Sequence, residues 1–111
     1  MNFWRKEVIE FALDHETLKQ MNEQRDWILR EPSNPKPYYH LAQLYRVAFK
    51  QDEALGLLLE AVRLDPVFAD AHAALAEVYI TRADDDAAWR HARIADQLGD
   101  PSVLDLLKRY Q

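Results

Sequence analysis

The chain repeats itself, and the repeat fixes what it can become. Shifted against itself by about 34 residues, Leu41-Ala42 falls on Leu75-Ala76, Tyr45 on Tyr79, Ala54 on Ala88, Ala61 on Ala95 and Leu64 on Leu98. A leucine, a small residue and then an aromatic three positions on share one face of a helix. Small residues seven apart share one stripe of a second helix and let the first approach closely. A period of this length with this content specifies pairs of helices that cannot bury their own apolar faces and must stack on their neighbours.

The prolines mark the joints. Pro32, Pro35, Pro37, Pro66 and Pro101 all fall between apolar-periodic stretches, because proline removes a backbone donor and clashes inside a helix. Asn34-Pro35 and Asp100-Pro101 each read as a capping residue followed by proline at the first helical position. The predicted helices are roughly 2–13, 16–31, 35–48, 51–64, 69–82, 85–98 and 101–110. Asp14 is the expected cap of the second and Asp84 of the sixth. The acidic run Asp84-Asp85-Asp86 then suits the positive end of that helix. Gly56 falls inside a predicted helix, as either a point of close contact or tolerated drift.

On these residues the sequence resembles the tetratricopeptide-repeat (TPR) family. The stretch NPKPYYHLAQLYRVAFKQDEALGLLLEAVRLDP carries the family pattern at Tyr38 (in place of tryptophan), Leu41, Ala42, Tyr45, Ala54, Leu58, Ala61 and Pro66. The next unit keeps Leu75, Ala76, Tyr79, Ala88 and Ala95. It departs at His72, an aromatic position expected to pack between helices, at Ala92, and at Pro101, one residue late. Residues 1–34 form a weaker copy in the same register, with Trp4 on Tyr38, Phe11 on Tyr45, Met21 on Leu55, Ile28 on Val62 and Pro32 on Pro66. There Gln20 and Trp27 stand where the other units have alanines, so this pair is expected to be splayed or rotated. The resemblance implies an all-α fold, a short right-handed α-solenoid of antiparallel helix pairs in one domain. Its expected parts are a degenerate repeat over 1–34, repeats over 35–68 and 69–100, and a C-terminal capping helix over 101–111.

Composition closes off most other functions. Apolar residues at 49% and charged residues at 30% put the chain in the ordered, globular class. With no cysteine, a disulfide framework, a thiolate metal site and a cysteine nucleophile are all excluded. The net charge of -5 argues against a nucleic-acid partner, which needs a basic stripe. No stretch approaches the ~18 apolar residues of a membrane span, and Arg5, Lys6 and Glu7 interrupt any signal-like run. A cytoplasmic location is the expectation. There is no phosphate loop, nucleophile elbow or paired-histidine metal motif, so the expectation is no enzyme, no cofactor and no metal. His15, His40, His72 and His91 show no ligand spacing.

The resemblance also implies where a partner binds. In the family, the first helices of successive repeats line a concave groove that holds extended peptides. Carried over, the groove residues are Arg5 and Ile9 with Asn2 and Lys6; then Lys36, Tyr39, His40, Gln43 and Arg46; then Asp70, Ala73, Glu77 and Ile80 with Ala74 and Thr81. Charge is expected to be polarised, basic in the first two units and acidic at Asp70 and Glu77. One subfamily clamps chaperone C-terminal carboxylates with lysine, asparagine and arginine. Ile9, His40, Asp70 and Ala74 stand at those positions here, so that activity is not expected. The implied function is a protein–protein interaction module binding a peptide or protein segment. The alternative is self-assembly into homo-oligomers through Trp4, Trp27 and the apolar C-terminal helix.

Overall fold

The structure, a computed structural model, describes the backbone of residues 2–110 and the side chains of residues 15–110. Among the described residues the fold is all-helical: α1 Asn2–Arg30, α2 Pro35–Val47, α3 Gln51–Leu64, α4 Ala69–Thr81, α5 Asp85–Gln97 and α6 Ser102–Arg109. The pairs α2/α3 and α4/α5 are the two repeats; α3 packs on α4, α1 on α2, and α6 on both α4 and α5. The result is a short helical solenoid.

Local chemistry sets the ends. The Asn34 side chain accepts the Lys36 backbone N–H at 3.0 Å, with Pro35 opening α2. Asp84 accepts the Ala87 N–H at 3.3 Å. Asp100 accepts the backbone N–H of Ser102 at 3.2 Å and its hydroxyl at 2.6 Å. That bond places Pro101 at the cap position and starts α6 one residue later than the sequence suggests. Helices α2 and α4 close alike: Phe49 (φ 61) and Ala83 (φ 59) turn left-handed, and the next N–H reaches back to Tyr45 O at 2.8 Å or Tyr79 O at 3.0 Å.

The alanine stripes pack as the repeat requires. Ala54, Ala61, Ala88 and Ala95 are fully buried, and one core joins Ala42, Ala54, Leu58 and Ala61 to Ala71, Ala74, Leu75 and Val78. A second core joins Ala73, Ala76, Ala92 and Ala95 to Val103 and Leu104 of α6. His72 packs between helices, as its aromatic position implies. Its Nε2 lies 2.9 Å from Pro66 O, where in the preceding repeat the Tyr38 hydroxyl donates to Pro32 O at 2.8 Å. The same loop carbonyl is therefore satisfied by two different side chains one period apart.

The first unit is the correction. Two helices, with a turn capped by Asp14, are expected there; α1 instead runs unbroken from Asn2 to Arg30. By register His15 is the counterpart of Phe49 and Ala83, and a left-handed non-glycine residue costs about 1–2 kcal/mol. In the other units the alanine-lined helix contact offsets that cost. Gln20 and Trp27 remove the contact, no proline or glycine occurs before Pro32, and the straight helix wins. At ~1.5 Å per residue, α1 is about 44 Å long and α2 about 20 Å, so the first half of α1 runs past its neighbour. The second half docks on α2, where Arg25 donates to the Tyr45 hydroxyl at 2.5 Å, and Met21 is buried.

Candidate functional site

A connected polar set bridges the two repeats. Gln43 Nε2 donates to the Tyr39 hydroxyl oxygen at 3.4 Å, and Arg46 Nη1 donates to Gln43 Oε1 at 3.0 Å. Arg46 Nη2 then reaches Glu77 Oε2 on α4 at 2.8 Å. The Tyr39 ring leans on Phe68 at 5.2 Å and meets the edge of His40 at 5.3 Å. Burial first, and then the Asp70 carboxylate, hold the Tyr39 hydroxyl above its ordinary pKa. Its proton therefore stays in place, and because the oxygen already accepts from Gln43, the O–H is left to donate.

The expected groove residues are placed unevenly. Tyr39, Gln43 and Arg46 are half-buried and come together with Glu77; Lys36, His40, Asp70 and Ile80 are exposed, with His40 and Asp70 next to Tyr39. Ala73 is only 6% exposed and belongs to the core beneath α6, so it contributes packing and not groove surface. The side chains of Arg5 and Ile9 lie outside the described residues. The opposite charges of α2 and α4 meet directly where Arg46 pairs with Glu77.

A second recess was not foreseen. Between α1 and α2 lies an open cleft of about 620 Å³, walled on one side by Glu16, Lys19, Gln20, Glu23, Gln24 and Trp27. His40, Gln43, Leu44 and Val47 form the facing wall. His40 stacks on Trp27 with ring centroids 6.4 Å apart, and the Trp27 indole N–H donates to Glu31 at 2.5 Å. The signal was present in the register: Gln20, Gln24 and Trp27 stand at the positions of Ala54, Leu58 and Ala61.

The sequence also missed a buried histidine pair. His72 Nδ1 and His91 Nδ1 lie 3.1 Å apart, and His91 stacks on Tyr79 with centroids 5.6 Å apart. Burial, reinforced by His72 and Arg90, lowers the His91 pKa to about 4. Among the described residues no group of three or more His, Cys, Asp or Glu side chains is placed to hold a metal ion. No helix among them is long and apolar enough to cross a membrane.

No family model matches the chain. Over 77 residues, 69% of the chain, it is 34% identical to the TPR repeat-containing thioredoxin TTL4 of Arabidopsis thaliana. That stretch spans 11% of the plant protein. The register of the two repeats, the helix pairs they build and this similarity agree: the chain carries tetratricopeptide repeats and is a protein-interaction module of that kind.

Proposed function

We propose that the chain holds an extended peptide or protein segment on its concave face and catalyses no reaction. The observation that carries this reading is the hydrogen-bonded set of half-buried Tyr39, Gln43 and Arg46 with exposed Glu77, which presents fixed donors and acceptors on one surface across two repeats. A main chain laid there meets the Tyr39 O–H as a donor to its carbonyls and the Glu77 carboxylate as an acceptor for its N–H groups. Lys36, His40, Asp70 and Ile80 surround that set and supply side-chain selectivity. Ala73, buried in the core, takes no part, and Arg5 and Ile9 extend the face in this reading. The partner in this reading is a protein and not a nucleic acid, consistent with the net charge of -5, and the setting is cytoplasmic. Residues 1–111 act as one domain, with 101–111 as its end cap.

The test is affinity capture from the native lysate by the wild type and by a folded variant combining Tyr39→Ala, Gln43→Ala and Arg46→Glu. The reading requires clients that the wild type retains and the variant loses. Identical captures would sink it.

A second reading, self-assembly through the ends, draws on the exposed Leu106 (40%) and Tyr110 (80%) of the C-terminal segment. Mass measured across a concentration series separates the two, because only self-assembly makes mass rise with concentration.

A further inference from the structure

We infer that the α1/α2 cleft is a second peptide seat, one that takes a single extended strand carrying a basic side chain. This rests on the reading that the chain holds peptides, and it adds where and of what kind. In the two regular repeats, a first helix lies against the alanine stripe of its partner. The corresponding stripe of the first unit is Gln20, Gln24 and Trp27, and these side chains instead wall an open cleft.

A helix with its side chains is about 10–12 Å across and needs small residues to approach to about 8–10 Å. Gln20 and Trp27 forbid that approach. An extended strand is slimmer than a helix and leaves N–H groups free to donate, which a helix keeps for its own carbonyls.

Two features define the strand. Gln24 Oε1 is buried and has no hydrogen-bond partner among the described residues. Gln51 Oε1, in the adjoining depression with Gln43, Arg46 and Val47, is in the same condition. Buried acceptors of this sort call for donors, and each amide meets one on a ligand by turning into the recess that its residue lines. An extended main chain running from the cleft past Val47 presents N–H groups along one edge at every second residue. Charge supplies the second feature. Glu16 and Glu23 lie two turns apart on the cleft face of α1 with only Lys19 between them, so the wall favours a lysine or arginine on the ligand. Leu44 and Val47 opposite favour an apolar neighbour.

The probe is a displayed library of random twelve-residue peptides, selected on the full chain. Binders are then measured against Gln24→Leu, against Glu16→Gln with Glu23→Gln, and against Tyr39→Ala with Asp70→Ala, two residues that line neither the cleft nor the adjoining depression. Gln24→Leu installs the residue type that Leu58 has at the same register position, and thermal melts confirm that each variant folds. The inference requires binders enriched in Lys or Arg, weakened about five- to tenfold by Gln24→Leu, and stripped of their basic preference by the double glutamine variant. That surface double variant carries the test alone if Gln24→Leu does not fold. Binders weakened only by the Tyr39 and Asp70 changes would overturn the cleft and leave the concave-face reading standing. A library that yields no binder would overturn both.

Discussion

His72 and His91 meet through Nδ1 atoms 3.1 Å apart, so one must donate and the other accept. With Pro66 O only able to accept from His72 Nε2, His72 carries its proton on Nε2 and its Nδ1 accepts from His91 Nδ1–H. A proton added to His91 enters a buried site beside a second imidazole and within the field of Arg90, which is why its pKa falls from 6.5 to about 4. Between those values the unfolded chain binds a proton that the native chain does not, so stability is full above pH 6.5 and is lost as pH falls towards 4. The loss is on the order of 2 kcal/mol after allowance for solvent screening. Denaturant titrations at pH 7 and pH 4.5 measure it. His91→Asn, which keeps a donor to His72 without titrating, should flatten the difference; an unchanged difference would place its source elsewhere. Phe49 offers a second test at this scale. It is 89% exposed and held at φ 61, where glycine is unstrained. Phe49→Gly should raise stability by about 0.5–1 kcal/mol, and a lower melting temperature would contradict the cap geometry.

Within the helices, the alanine stripe is the fold's most exacting requirement. Ala61 is fully buried against the neighbouring helices, so Ala61→Leu should cost roughly 1–3 kcal/mol by overpacking. Arg63, exposed and paired only with Glu60 one turn away, should tolerate alanine almost without effect. Equal losses in a denaturation series would count against the assigned register. Gly56 serves no close contact among the described residues: nothing lies within 4 Å of a Cβ added there. Gly56→Ala should stabilise α3 by up to about 1 kcal/mol, and a destabilised variant would show a role that the structure does not. These elements were legible in the sequence because Pro35, Asp84 and the alanines at 54, 61, 88 and 95 act locally. What the sequence did not reveal depends on pairing in space. His72 and His91 are 19 residues apart with no motif to link them, and Arg46 and Glu77 looked like opposite poles of a groove until the structure joined them. At α1 the clue was legible and its consequence misjudged. Gln20 and Trp27 do more than splay a helix pair: removing the seat leaves no reason for the chain to turn at all.

The whole molecule is thus two complete helix pairs with a single long helix at one end and a short one at the other. The far end is closed by Val103 and Leu104 of α6. The near end is left with a cleft, and both peptide surfaces proposed here share Gln43 as a common wall. Everything distinctive about this array follows from α1 being straight. The chain has no native cysteine, so spin labels at Arg5→Cys and Arg30→Cys report its shape without interference. Double electron–electron resonance on the labelled chain should give a distance near 38 Å between the two backbone positions, at ~1.5 Å for each of the intervening residues. A distance below about 20 Å would mean that the first half folds back into the cleft as a helical hairpin, and would contradict the account.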